Sequence, residues 1–364
     1  MKIGILTYHF AINYGALLQC YALQKALESR GADCEVCDFQ SPVQRDNNRL
    51  YSKQKTPKAM AKNLCKLPFH FARKAKQQKF RRFLEANLKL SRPLATLEDL
   101  QQEAQGLDVL VCGSDQVFSP RISDFNEAFF LPFPTKAKKA SYAASLGKSE
   151  AKELEPYKDA LGDFDYLTLR EASSLPELRK LGFSKVEIAP DPVFLLPAEQ
   201  WRTLAKADTP VIQEKYLLCY FLNVELEQRY LQRAKEMAKR KQLKLYRIVS
   251  RYRPYNLSGS AICHAGPEEF LNLIANAAFV CTDSFHGTVF SSLFGVDFLT
   301  FCPTRHESDQ RKQEVLKALG LEDRLCYADE PMPHGPEGLR CPARSLAAQR
   351  ARGFAVIEKI MNLK

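Results

Sequence analysis

Six histidines, and a few polar groups placed just after apolar runs, are the residues of this 364-residue chain best suited to chemistry. His286 has the most informative surroundings. It lies within residues 278–302, AFVCTDSFHGTVFSSLFGVDFLTFC. The apolar run Ala278–Asp283 reads as a buried strand, His286–Gly295 as a helix and Asp297–Cys302 as the following strand. Asp283 and Ser284 are good N-cap residues. They set His286 near a helix N-terminus, where backbone N–H groups and the macrodipole favour an anion. A phosphate or carboxylate held there would lie beside a proton-transfer group. The plainer alternative is a histidine that only packs.

Other polar residues recur at the same kind of place. Asn13 and Tyr14 follow the first apolar run, Ser114 and Asp115 follow LDVLVCG, Ser145 follows KASYAA, Arg170 follows YLTL, and Asp191 follows VEIAP. In an α/β fold the carboxyl ends of parallel strands are where ligands bind. A guanidinium there, such as Arg170, can grip a carboxylate or phosphate bidentately. Its plainer role is an ion pair with a neighbour such as Glu171. Arg305 is a third candidate for the anion site. His9 follows the first strand and is a second candidate histidine, whereas His70, His264, His306 and His334 lie in polar or basic surroundings.

Several common chemistries are absent. The sequence has no H-E-x-x-H, no G-x-S-x-G elbow, no Walker loop and no G-x-G-x-x-G. Neither a metal nor a dinucleotide cofactor is therefore expected. Cys34 and Cys37 have C-x-x-C spacing, but strand alternation sends them to opposite faces and no second pair follows. The 11 cysteines are odd in number and scattered through apolar runs, as befits reduced thiols used as small core residues.

The elements that must position these residues alternate strand and helix. Lys2–Tyr8 reads as a strand, Leu17–Ser29 as a helix closed by Gly31, and Asp33–Phe39 as a second strand, so the chain opens as a βαβ unit. Strands are expected at Leu107–Gly113, Lys139–Ser145, Tyr166–Arg170 and Val186–Ala189. The pattern restarts with Lys215–Asn223 and Lys244–Ser250, then a turn-rich stretch holding Arg251 and Arg253. A helix begins at Gly266-Pro267-Glu268-Glu269, and another covers Gln310–Leu319. The expected fold is α/β, with two Rossmann-like doubly wound domains facing across a cleft. The first spans 1–200 with a basic helical insertion at 41–93. A linker at 201–214 leads to the second at 215–345, and a last helix, 346–364, is able to cross back to the first.

Charge is concentrated in the insertion. Between Ser41 and Pro93 there are 15 Lys/Arg against two acids, Asp46 and Glu85, a net of +13 in a chain of +11. An amphipathic basic segment can meet anionic lipid head groups or an acidic glycan; the alternative is a pair of solvated helices. Nucleic acid is not expected, since no recognised binding motif is present in the basic run. No apolar run reaches about 18 residues, so no membrane-spanning helix is predicted. The N-terminus MKIGILTYHF lacks a full signal-peptide core. The expected location is the cytoplasm, with peripheral contact at the inner face of the membrane if the basic segment docks there.

Taken together, GILTYHFAINYGALLQCYAL (4–23), VLVCGSDQVF (109–118), SYAASLG (141–147), LREASS (169–174), APDPVFLL (189–196) and GPEEFLNLIANAAFVCTDSFHGTVFSSLFG (266–295) resemble the polysaccharide pyruvyl transferase family. The resemblance implies a fold like that of GT-B glycosyltransferases. It implies transfer of the enolpyruvyl skeleton of phosphoenolpyruvate to two hydroxyls of a sugar or lipid-linked oligosaccharide, giving a pyruvate ketal. His286 and Asp115 would be the catalytic pair. Arg170, Ser284, Gly287 and Arg305 would bind the donor, and Asn13, Tyr14 and Ser114 the acceptor. Many family members carry an arginine two positions before the motif histidine; here that position is Ser284, so either another cation such as Arg305 or Arg311 replaces it or the donor is bound differently. The family's later lysine has no clear match. Two other readings fit the same residues: a GT-B-like glycosyltransferase using a nucleotide sugar, and a non-catalytic glycan-binding relative.

Overall fold

The structure, a computed structural model, describes residues 1–53, 56–252, 259–305, 309–331, 333 and 342–363, the side chains of Lys58 and Lys62 excepted. Arg253, His306, His334 and Cys341 lie outside the described residues. The chain forms two compact units: residues 1–49, 84–196 and 347–364 make the first, and residues 50–83 and 197–346 the second.

The first unit is built on strands β1 (Lys2–Leu6), β2 (Asp33–Phe39), β3 (Leu90–Leu94), β4 (Val109–Cys112) and β5 (Lys138–Ser141), ordered β3-β2-β1-β4-β5 and all parallel. Bridges from Ala140 to Tyr166 and from Ala144 to Leu169 carry the order on to β6 (Leu167–Leu169), which pairs with β7 (Val186–Ile188). β4, VLVC, is a continuous buried apolar run, as expected of a strand covered on both faces. The sequence reading missed β3. Pro93 cannot donate to a ladder and hides the pattern, yet it is tolerated because β3 is an edge strand.

The second unit is a six-stranded parallel sheet of β8 (Tyr216–Tyr220), β9 (Lys244–Ile248), β10 (Ala261–Ile262), β11 (Phe279–Thr282), β12 (Phe298–Cys302) and β13 (Leu325–Tyr327). Its order is β10-β9-β8-β11-β12-β13. In both sheets the first strand lies where the order reverses, between β1 and β4 and between β8 and β11. That topological switch point is where doubly wound folds bind ligands.

Three segment boundaries differ from the sequence reading. The basic region is divided: the helix Pro42–Asn47 and β3 belong to the first unit, whereas residues 50–83 belong to the second. The reason is the inward face of the helix His70–Asn87 and the turn before it. Phe69 packs with Val249 and Cys263, and Lys76 reaches the Val249 carbonyl at 3.5 Å. Residues 201–214 are not a free linker. Trp201 is fully buried with its ring 5.0 Å from Phe290, and the Arg202 guanidinium donates to the Phe294 carbonyl at 2.8 Å. Finally, Leu325–Tyr327, for which no strand is expected from the sequence, pairs with β12. Residues 347–361 of the last helix, Ala343–Met361, belong to the first unit, where Lys359 binds Glu187 at 2.7 Å.

Lys76 is a charge buried inside the anchor of the basic helix, and burial pushes its ammonium down to about 8. Because the folded value is depressed, the unfolded chain binds more protons between pH 8 and the ordinary lysine value, so this group's contribution to stability improves as pH rises through that window. Lys76→Met is therefore expected to stabilise the protein by about 3 kcal/mol near pH 7. Denaturant melts of both proteins should show that advantage shrinking toward pH 10.

Candidate functional site

In the second unit the candidate site is assembled at the carboxyl edge of β8, β11 and β12. β11 ends at Thr282, whose hydroxyl donates to the Tyr220 carbonyl at 2.6 Å and accepts from the Ser284 N–H at 3.1 Å. The next residue, Asp283, accepts the N–H groups of Leu222 (2.6 Å) and Asn223 (2.8 Å), which follow β8. Burial pushes the Asp283 carboxyl up, with the charge of Lys312 and these backbone donors pulling the other way. Lys312 is buried on the helix Gln310–Leu319 and donates to the carbonyls of Asp283 (3.0 Å) and Phe301 (2.9 Å).

Ser284 is the N-cap of the helix Phe285–Phe294. Its Oγ accepts from the Gly287 N–H at 3.3 Å, and its carbonyl accepts from the Thr288 hydroxyl at 3.0 Å. It is buried, and its hydroxyl is engaged by the cap, which gives it a structural role. Gly287 is likewise explained by packing. A Cβ there would meet Thr282 Oγ1 at 2.5 Å, so the helix start sits directly on the strand end. Every residue of Phe285–Phe294 is buried, and its hydroxyls bond back along the helix, Ser291 to Gly287 and Ser292 to Thr288. His286 sits in the first turn, 8% exposed, its ring edge-on to Phe285 at 5.2 Å. The expected capped-helix setting of His286 is therefore present, with Ser284 as the cap.

The two cations expected to stand in at position 284 each have a carboxylate partner. Arg305 is exposed, binds Glu330 through both Nε and Nη2, and lies over the Tyr327 ring. Arg311 forms a two-pronged pair with Asp309, at 2.8 and 2.7 Å.

In the first unit the residues after β4, β6 and β7 gather around Arg170. Its side chain is 3% exposed, with Nη1 3.0 Å from Asp191, Nη2 3.4 Å from Asp115 and Nε 3.8 Å from Glu171. The expected ion pair with Glu171 is present through its Oε2, and Glu171 Oε1 also accepts from the Ser145 and Ser174 hydroxyls and the Leu146 N–H. One guanidinium thus lies among three carboxylates and can hold Asp115 and Asp191 in position. Asp115 has a left-handed backbone (φ 71°), accepts the Gln116 N–H at 2.9 Å and keeps its side chain partly exposed. Asp124, overlooked in the sequence, stands near it. Burial pushes the Asp124 carboxyl up, and the charge of Asp115 adds to the shift.

The three expected acceptor residues separate. Asn13 is exposed and caps the helix Tyr14–Glu28, accepting from the Gly15 and Ala16 N–H groups. Tyr14 is buried in the first turn of that helix. Ser114 is fully buried. Its N–H donates to Gln19 Oε1, its hydroxyl to the Ala143 carbonyl, and its carbonyl accepts from Thr7 Oγ1. Tyr14 and Ser114 are thus both buried parts of the strand edge. His9 is buried as well, between the Thr7 carbonyl at 3.1 Å and Asp38 at 2.9 Å. Of the remaining histidines, His70 stacks on Tyr51 and His264 is exposed. No group of His, Cys, Asp and Glu able to hold a metal occurs among the described residues.

Lys312 left one signal in the sequence. Lys312, Leu316 and Leu319 are the buried positions of their helix, at i, i+4 and i+7, so this lysine lies on the apolar face. Asp124 left none, because its neighbour Asp115 is joined to it only through the fold.

The cap assignment makes a stability prediction. Ser284→Ala should cost about 1 kcal/mol, and Ser284→Asp should recover most of it, in denaturant melts. Arg170→Met should cost more, about 3 kcal/mol, because it leaves buried carboxylates without their cation.

A search of curated proteins returned no significant match. Among solved structures, the chain is similar to UDP-GlcNAc 2-epimerase from Methanocaldococcus jannaschii, with a TM-score of 0.57, 14% identity and 99% of each chain covered. The complex of that organism's enzyme with UDP-GlcNAc and UDP gives 0.55 and 14% over 100% of both chains. These are GT-B fold enzymes, and the chain shares that fold. The model of the polysaccharide pyruvyl transferase family matches residues 13–301, a span that includes Asn13, Asp115, Arg170 and His286. The chain belongs to the polysaccharide pyruvyl transferase family.

Proposed function

We propose that the chain moves the enolpyruvyl skeleton of phosphoenolpyruvate onto two hydroxyls of a sugar, forming a cyclic pyruvate ketal on a cell-surface polysaccharide or its lipid-linked precursor. The observation that carries this reading is His286 in the first turn of Phe285–Phe294, at the switch point of a parallel sheet, in a chain of this family. The reaction balances without a cofactor. The methylene carbon of the donor gains a proton, which leaves an oxocarbenium-like centre at the adjacent carbon. One sugar oxygen bonds to that carbon, the bond from carbon to the phosphate oxygen breaks, and the second sugar oxygen closes the ring. Of the two hydroxyl protons released, one balances that gained by the new methyl group and the other leaves with phosphate or solvent.

In this reading His286 is the proton donor to the methylene, and the positive end of its helix favours the donor's negative charge. Asp115 is the base for an acceptor hydroxyl. Arg170 holds it in place, and Asp124 is a second proton carrier beside it. A donor of this kind is a cytoplasmic metabolite, which puts the reaction in that compartment. A second reading, transfer from a nucleotide sugar, is favoured by the likeness to an epimerase solved with UDP-GlcNAc and UDP.

Phosphate release from phosphoenolpyruvate, measured with and without glycan acceptors, separates the two. Release that requires an acceptor is expected. His286→Ala should lower it by about 100-fold or more while the melting temperature stays within a degree or so of wild type. No release with any acceptor, together with saturable binding of a UDP-sugar by calorimetry, would replace the first reading with the second.

A further inference from the structure

Residues 50–83 do more than pack on the second unit. Their inward positions, Phe69, Arg73, Lys76, Phe80 and Phe83, are buried at helical spacing. A different set of positions points out. Met60, Leu64, Leu67 and Phe71 are 63%, 67%, 53% and 84% exposed. They follow one another at intervals of four, three and four residues along Pro57–Lys66, the single turn Leu67–Phe69 and the start of His70–Asn87. That spacing makes one apolar stripe about 16 Å long. Large apolar side chains scattered singly on a surface need no explanation, but a row of four at helical spacing does.

The stripe runs into charge of a single sign. Lys74 and Arg82, both exposed, continue the face of Phe71 along the same helix. Between Asp46 and Glu85 the sequence contains no acidic residue and 12 Lys/Arg. The stripe is not needed for the fold, because the opposite face already supplies the anchor.

We propose that this face docks on a membrane surface carrying anionic lipid head groups, with Phe71 and Leu67 entering the interface and Lys74 and Arg82 meeting the phosphates. Charge complementarity selects this occupant. Apolar side chains flanked by cations, with no acid among them, match a negatively charged interface whose interior is apolar. Two copies of a like-charged face would repel. Among the described residues no helix is long and apolar enough to cross a membrane, so the attachment would be peripheral. The inference stands apart from the pyruvyl-transfer reading, since docking needs no turnover.

Flotation of the full chain with phosphatidylcholine vesicles, alone or mixed with phosphatidylglycerol, tests it. Binding is expected with the anionic vesicles, weak binding with the neutral ones, and release as salt is raised. Phe71→Ser should weaken binding about tenfold or more, and Lys74→Gln and Arg82→Gln about fivefold each. All three positions are exposed, and unchanged melting curves would confirm intact folding. Failure to float with anionic vesicles overturns the proposal, as does binding that Phe71→Ser leaves unchanged. Concentration-dependent self-association abolished by Phe71→Ser, without vesicle binding, overturns it in favour of an interface between copies. Retention by a soluble acidic polysaccharide without vesicle binding overturns it as well.

Discussion

Two backbone N–H groups that follow β8 converge on one carboxylate, Asp283, and the start of the His286 helix depends on that junction. The bonds are charge-assisted, a class worth about 1.5–3 kcal/mol each. They fix the end of β11 against the end of β8, where the sheet reverses its order. Thr282 makes the same connection one residue earlier through its hydroxyl, and Lys312 ties the Asp283 carbonyl to that of Phe301 at the end of β12. Three strand ends are thereby held in register before the helix begins. Ser284 then caps the helix and Gly287 lets it press on Thr282, so the position of His286 follows from its four preceding residues and the one after it.

The first unit solves a different problem. Carboxylates gathered at a strand edge repel one another, and here Asp115, Glu171 and Asp191 surround one guanidinium. Arg170 neutralises part of that charge, while serine hydroxyls and backbone N–H groups satisfy Glu171. The geometry leaves Asp115 as the member of the group with partial exposure. The ion pairs of Arg170 also hold these carboxylates in place.

Much of the fold was legible because parallel strands buried on both faces read as apolar runs and the helices between them carry caps. The strand ends could be listed for the same reason. Which polar residue at an end faces outward could not be read, since Ser114 and Asp115 are adjacent and only the three-dimensional path buries one and leaves the other partly exposed. β3 was hidden by Pro93, and the division of the basic segment between units rests on long-range packing of Phe69 and Lys76 against Val249. Ser284 shows the limit most clearly. Set against the family pattern, it is the place of a missing arginine. In the fold it is the residue that makes the helix begin.

The proposed reaction forms a pyruvate ketal on a sugar. Mass spectrometry of a glycan acceptor incubated with the protein and phosphoenolpyruvate tests it most directly. The account predicts that the acceptor gains the mass of one pyruvate less one water, and that mild acid removes the addition. An acceptor of unchanged mass, or one that gains a sugar when a nucleotide sugar is supplied instead, would contradict it.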